Sequence, residues 1–153
     1  MRHTAITPQE AADRLAIREL VDAYARCADR RDAAGQMALF TEDTHFVVYM
    51  DAKNPVPTQE LHSRAELAPV FDALNQYPAT MHFVGQCTLF SLDETRATGE
   101  TYCLAHHVID NGGKRSLMVA ALRYGETFAK VDGEWLFAER LLYVDWAENR
   151  PLD

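Results

Sequence analysis

The chain has 153 residues and a mass of 17.3 kDa, and 48 % of its residues are hydrophobic, which predicts one domain over residues 1–153 with one sizeable core. Asp and Glu outnumber Lys and Arg by 23 to 15, and the resulting net charge of −8 repels the phosphates of nucleic acids. The sequence has no apolar run of membrane-spanning length, and its first residues lack the apolar segment of a secretory signal. We therefore expect a cytoplasmic protein that binds neither nucleic acid nor membrane.

Two helices are predicted before the first strand. Residues Thr7 to Glu10 form a capping box with a proline at the first helical position, and apolar residues then recur at helical spacing. This amphipathic helix is expected to end shortly before Asp32, which can cap a short second helix that extends to Phe40. A turn is predicted at residues 41–43.

The remainder of the chain is predicted to be mostly β-structure. A β-like run at 45–49 is followed by a loop at 51–57, and a helix that begins at 63–66 is kinked or split by Pro69. Four long antiparallel strands then follow, at Met81–Leu92, Thr98–Asp110, Arg115–Val131 and Trp135–Trp146. Helices followed by a meander predict an α+β fold, with the helices packed on one face of a curved antiparallel sheet.

The sequence carries no recognisable cofactor motif. Cys27, Cys87 and Cys103 are odd in number and widely spaced, so we expect reduced thiols rather than disulfides or a zinc site. There is no G-x-S-x-G, phosphate-binding or dinucleotide-binding motif, and no pair of histidines at metal-ligand spacing. We expect neither cofactor nor metal, although His82 and His106 with a carboxylate would offer three metal ligands.

Asp29 and His82 are the first candidates for chemistry. A carboxylate is disfavoured at the C-terminal end of a helix, so Asp29 is either a solvated helix-end residue or is held there by a partner such as a histidine. His82 lies in an apolar strand, where an unpartnered imidazole would be costly. It is therefore either a hydrogen-bonded structural residue or part of a pocket.

Other polar residues also have two interpretations each. Tyr24 on the apolar stripe of the first helix and Tyr49 at the end of the first strand are either core residues or hydrogen-bond donors to a substrate oxygen. His106 and His107 point to opposite faces of their strand, so only one of them can reach a pocket on the concave face. Arg140 lies in a long strand, either face of which could line a pocket.

Five segments together resemble the SnoaL-like family of the nuclear transport factor 2-like superfamily. In chain order they are residues 12–24, 28–32, 39–43, 81–85 and 131–135. The resemblance, which spans nearly the whole chain, implies a cone-shaped α+β barrel in which a strongly bent sheet and helices enclose a pocket. Within the superfamily the chain is similar to the scytalone dehydratases, the bile-acid dehydratases and the hexachlorocyclohexane dehydrochlorinases.

The resemblance implies roles for individual residues. Asp29 and His82 match the aspartate and histidine that pair in these enzymes, Tyr24 matches a tyrosine of the bile-acid dehydratases, and His106 best matches a further histidine of the scytalone dehydratases. Tyr49 and Arg140 are looser matches to a pocket tyrosine and an arginine. The serine and asparagine of the scytalone dehydratases fall near Leu122 and Tyr124, so we do not expect scytalone as the substrate.

Our leading interpretation is a cofactor-independent lyase that eliminates water or another small group from a cyclic or hydrophobic substrate. His82 would be the general base, Asp29 would orient it, and Tyr24, Tyr49 and His106 would polarise a carbonyl or protonate the leaving oxygen. The alternatives are an isomerase or polyketide cyclase that uses the same base, and a non-catalytic binding or accessory protein.

The remaining expectations concern the pocket and the assembly. Residues expected to line a substrate pocket are Tyr49, Val47, Phe71, Val84, Leu104, Met118, Tyr124 and Arg140. His3, His45, His62 and His107 are interpreted as bystanders. The relatives associate through the open side of their sheet, so the resemblance implies a homo-oligomer, with a trimer favoured over a dimer.

Overall fold

Three α-helices and six β-strands form the part of the chain that this computed structural model describes, residues 5–152. The helices are α1 (Pro8–Arg30), α2 (Ala33–Ala38) and α3 (Ala68–Asp72). The strands are β1 (Phe40–Tyr49), β2 (Gln59–Leu61), β3 (Ala79–Leu92), β4 (Arg96–Asn111), β5 (Lys114–Val131) and β6 (Glu134–Pro151). His3 and the two ends of the predicted domain lie outside the described residues.

One sheet contains all six strands, in the order β2-β1-β6-β5-β4-β3. Strand β1 runs parallel to β6, and every other pair of neighbours is antiparallel. The four long strands form the predicted meander, with positive-φ residues Gly112 and Gly113 in one turn and Asp132 and Gly133 in another. The chain therefore has the predicted α+β fold, with the N-terminal helices packed on a curved sheet.

Helix α1 begins and ends as its sequence predicts. The side chain of Thr7 accepts a hydrogen bond from the backbone N–H of Glu10, and a proline occupies the first turn. Arg31 closes the helix in the left-handed conformation, and its backbone N–H donates to the carbonyl of Ala28. The buried stripe of α1 includes Ile17 and Val21, which pack in the main core.

The second helix is shorter than predicted, and the first strand begins earlier. Asp32 caps α2 as expected by accepting from Gly35, but the helix ends at Ala38. Phe40 already belongs to β1, because its fully buried ring lies in the aromatic core and its backbone pairs with Phe137 of β6. The turn predicted at 41–43 is wrong, and the strand instead has an irregular register there.

Between β1 and β3 the structure both confirms and corrects the prediction. The helix expected around Pro69 is indeed split, with 3-10 segments at Arg64–Leu67 and Ala73–Gln76 on either side of α3. Strand β2, which no sequence pattern predicts, is an edge strand of three residues that pairs with β1. Within residues 5–152, no helix is long and apolar enough to span a membrane.

Candidate active site

An apolar cavity of about 330 Å³ lies between the helices and the inner face of the sheet. Apolar side chains from α1, α3 and strands β1, β5 and β6 form most of its wall, and a few polar groups interrupt it. Its lining includes Tyr24, Gln36, Phe46, Val48, Phe71, Tyr77, His82, His107, Met118, Leu122, Tyr124, Leu142 and Val144. An apolar cavity with a few convergent polar groups is the usual form of a small-molecule site.

Asp29 contacts His82, whose side chain lies in the wall of this cavity. Nδ1 of the imidazole lies 2.8 Å from Oδ1 of the carboxylate, and the backbone N–H of His82 donates to Oδ2 at 2.9 Å. The hydroxyl of Thr80 also donates to Oδ1 at 2.9 Å, and Arg31 in turn donates to that hydroxyl. These contacts supply the partner that a carboxylate at the end of α1 needs.

The electrostatics of this pair favour an ionised carboxylate and a defined imidazole tautomer. Burial by itself raises the pKa of Asp29, but the hydrogen bonds from His82 and Thr80 outweigh burial and hold the pKa below its ordinary value. An ionised Asp29 accepts the Nδ1 proton of His82, so Nε2 is left as the basic nitrogen. This arrangement can accept a proton from a bound molecule.

His107, and not His106, faces the cavity. On β4 the side chains of Cys103, Ala105 and His107 are buried, whereas Leu104 is exposed and the Nδ1 of His106 lies 3.2 Å from the carbonyl of Met81, outside the cavity. The predicted pocket role of His106 is therefore wrong, as is the bystander role of His107. The predicted metal alternative at His82 and His106 also fails, because the two side chains lie on opposite faces of the sheet.

His107 is a buried, neutral imidazole beside the dyad. Its ring centroid lies 5.6 Å from that of His82 and 4.6 Å from that of Tyr77. Burial lowers the pKa of His107 to about 4, and the nearby guanidinium of Arg31 acts in the same direction. Its Nδ1 is buried and has no hydrogen-bond partner among residues 5–152, while the residue itself lies in the cavity wall.

A buried arginine lies behind two tyrosines of the cavity wall. The guanidinium carbon of Arg140 is 3.8 Å from the ring centroid of Tyr24 and 3.9 Å from that of Tyr124. Its Nη2 lies 3.2 Å from Oε1 of Glu126, whose Oε2 accepts from Thr101 at 2.7 Å. Arg140 therefore supports the two tyrosines. The prediction that it lines the cavity is wrong.

Four further predicted wall residues lie elsewhere. Val47 and Tyr49 belong to the other face of β1, since Phe46 and Val48 point into the cavity, and Tyr49 stacks on Tyr143 instead. Leu104 shares the outward face of β4 with His106. Val84 borders a groove against α1 on the outer side of the dyad.

The other predicted wall residues do line the cavity, together with residues that the sequence did not predict. The structure places Phe71, Met118 and Tyr124 there, and it also places Tyr24, the candidate hydrogen-bond donor, in the wall. It adds Phe46, Val48, Tyr77, His107, Leu142 and Val144. For β4 the sequence does indicate which face is inward. The outward face carries Arg96, Glu100 and Tyr102, whereas the inward face carries a series of small residues followed by His107.

Comparison with solved structures shows a shared fold. A Novosphingobium aromaticivorans protein provisionally assigned as a scytalone dehydratase is 21 % identical, with a TM-score of 0.77 over 94 % of this chain and 91 % of its own. A type 2 hexachlorocyclohexane dehydrochlorinase, LinA, is 18 % identical, with a TM-score of 0.70 over 94 % of this chain and 90 % of its own.

A third similar structure comes from a multi-subunit enzyme. The beta subunit of an N. aromaticivorans protein, provisionally an aromatic-ring-hydroxylating dioxygenase, is 20 % identical, with a TM-score of 0.74 over 89 % of this chain and 91 % of its own. No curated protein matches the chain by sequence. The model of the SnoaL-like domain family matches residues 9–141, so the chain belongs to the SnoaL-like family, as its sequence motifs predict.

Proposed function

We propose that the protein is a cofactor-independent lyase that eliminates water, or another small leaving group, from a cyclic or otherwise hydrophobic substrate. The observation that carries this proposal is the hydrogen bond between Asp29 and His82 at the wall of an apolar cavity. Family membership, together with a dehydratase and a dehydrochlorinase among the structural neighbours, supports a function on small molecules.

In the proposed reaction, Nε2 of His82 removes a proton from a substrate carbon that lies next to the carbon bearing the leaving group, and that is also next to a carbonyl where the substrate has one. The electron pair of that C–H bond forms a carbon–carbon double bond, and the bond to the leaving group breaks with its electrons on the departing atom. The imidazolium of His82 forms next to the ionised carboxylate of Asp29, which stabilises it. A leaving hydroxyl takes up this proton and departs as water.

Neighbouring polar groups would polarise the substrate. Tyr24 remains a neutral phenol because burial raises its pKa, although the charge of Arg140 acts in the opposite direction. Its hydroxyl and the neutral imidazole of His107 can hydrogen-bond to a carbonyl or to the departing oxygen. In this assignment His107 takes the place predicted for His106, and Tyr49 has no part.

The test is to screen cyclic hydroxyketones and halogenated rings for loss of water or of hydrogen halide by mass spectrometry. We expect turnover without added cofactor. An isomerase or cyclase would leave the oxygen content of the substrate unchanged. Saturable binding with no product would instead support the non-catalytic alternative, and co-purification of a second chain would support an accessory subunit.

We also propose that the chain forms a homo-oligomer, with a trimer favoured over a dimer. Phe83, Tyr102, Leu104 and Trp146 border one depression on the outer face of the sheet, and each is more than a third exposed. The test is sedimentation equilibrium of the wild type and of Phe83→Ser, which should dissociate more readily. A monomeric wild type at micromolar concentration would contradict this. The single domain and the cytoplasmic location stay predictions.

A further inference from the structure

A second group of histidine and carboxylate side chains lies on the outer face of the sheet, away from the cavity. His45 belongs to the face of β1 opposite to Phe46, which lines the cavity. In the parallel ladder with β6, His45 pairs with Glu139. On the other side, the pairing of Phe46 with Leu61 places His62, the residue after β2, opposite His45.

The two imidazoles converge on one carboxylate. The rings of His45 and His62 stack with centroids 5.1 Å apart and planes 9° from parallel. Nε2 of His45 lies 2.8 Å from Oε1 of Glu60, and Nε2 of His62 lies 3.9 Å from the same oxygen. All three donor atoms lie within 4.8 Å of one another. Ligands of a tetrahedral zinc ion are roughly 3.3 Å apart, so small side-chain rotations suffice to enclose an ion.

Groups around the cluster hold the histidines in place. Nδ1 of His45 lies 2.8 Å from Oε2 of Glu139, which fixes the ring orientation and leaves Nε2 directed at Glu60. A histidine that binds a metal through one nitrogen commonly donates its other N–H to a carboxylate in this way. The backbone N–H of His62 donates to Glu66 at 2.9 Å, which anchors the segment after β2.

We propose that His45, Glu60 and His62 form a binding site for a divalent ion of the zinc type. The ligands are Nε2 of each histidine and one carboxylate oxygen of Glu60, and water completes the coordination. Two imidazoles favour zinc, cobalt or nickel over magnesium or calcium, which prefer oxygen ligands. The ion would clamp the three-residue edge strand β2 onto β1, and this site is separate from the proposed elimination chemistry.

Hydrogen bonds alone offer a competing explanation of the cluster. His45 bridges two carboxylates, Glu60 on one side and Glu139 on the other, and a protonated imidazole would satisfy both. In that case His62, whose side chain is 68 % exposed, would contribute little. A metal site requires His62, whereas the hydrogen-bonded cluster does not, so His62 separates the two explanations.

The experiment is calorimetric titration of zinc into the chelator-treated full chain near neutral pH. We expect one zinc per chain with a dissociation constant of roughly 10 µM or tighter. His62→Gln should weaken binding at least about tenfold, and Glu139→Gln about tenfold through the orientation of His45. His106→Gln, which alters a histidine elsewhere on the outer face, should leave zinc affinity unchanged, and magnesium should not bind.

Two further measurements secure the result. Circular dichroism should show the same fold for His62→Gln as for the wild type, since the side chain is mostly exposed. Cobalt bound to the wild type should give the visible absorption of a nitrogen- and oxygen-ligated ion, and His62→Gln should lose it. The proposal is overturned if the wild type binds no zinc at roughly 100 µM, or if His62→Gln binds zinc as tightly as the wild type.

Discussion

The carboxylate of Asp29 contacts His82 twice, through the imidazole Nδ1 at 2.8 Å and through the backbone N–H at 2.9 Å. One side chain at the end of α1 thus fixes both the position of β3 and the orientation of the ring that β3 carries. Because the same carboxylate also accepts from Thr80, its charge is stabilised within the fold.

We expect Asp29→Asn to reduce turnover of an identified substrate by about 10²–10⁴-fold while preserving the fold. An amide has no charge to stabilise the imidazolium of His82, and its N–H₂ group favours the wrong tautomer. Nitrogen NMR should show the Nδ1–H form of His82 in the wild type and its loss in the variant. Asp22→Asn, an exposed change on the same helix, is the control, and an unchanged tautomer in Asp29→Asn would contradict the assignment.

His107 should titrate near pH 4, well below the ordinary histidine value of 6.5. Burial favours the neutral ring, so the unfolded chain binds more protons between these two values and stability falls as the pH drops through that window. Proton NMR of the ring gives the pKa, and chemical denaturation at several pH values gives the stability. His107→Gln should flatten the pH dependence between pH 6.5 and 4. A ring that titrates near 6.5 would show that the imidazole of His107 is not buried as described.

The sequence predicted the elements better than it predicted the faces of the strands. Helix α1 follows from local chemistry, because Thr7 caps it and a proline opens it. Alternation along β1 and β4 groups residues into two faces but does not say which face is inward when both are partly apolar. The sequence therefore predicts Val47 and His106 at the cavity, where the structure places Phe46 and His107.

Long-range pairing accounts for what the sequence could not predict. Strand β2 has three residues in a polar segment, and only its pairing with β1 makes it a strand. The contact of Arg140 with Tyr24 joins β6 to α1, elements that are far apart in sequence. The His45–His62 pair likewise depends on the register of β1 with β2, which no local pattern reveals.

Asp13 should stabilise the fold above pH 4 and lose this effect in acid. Its Oδ1 accepts from Lys130 at 2.7 Å and from Trp135 at 2.8 Å, and the hydrogen bonds lower its pKa from 3.8 to about 2. Because the pKa is depressed in the folded state, the contribution of Asp13 to the free energy of unfolding is fully present above pH 3.8. This contribution is lost as the pH falls toward 2. Asp13→Asn should cost roughly 1–3 kcal/mol at neutral pH by urea denaturation. Equal stability of this variant at neutral pH would refute the role.

Removal of Arg140 should destabilise the protein strongly. Arg140→Met leaves Glu126 buried without its positive partner, and breaking a buried pair in this way costs about 3–5 kcal/mol. The double variant Arg140→Met with Glu126→Gln should recover part of this loss, because no buried charge remains. Urea denaturation of both variants measures the difference. A double variant no more stable than Arg140→Met would show that packing against Tyr24, and not charge, dominates.

The most direct test of the proposed function compares turnover of an identified substrate by His82→Gln and His106→Gln. The first variant removes the proposed base, and the second alters a histidine on the outer face of the same strand pair. We expect kcat to fall by about 10²–10⁴-fold in His82→Gln and to stay within a few-fold of wild type in His106→Gln. Turnover by His82→Gln within a few-fold of wild type would contradict the assignment of His82 as the base.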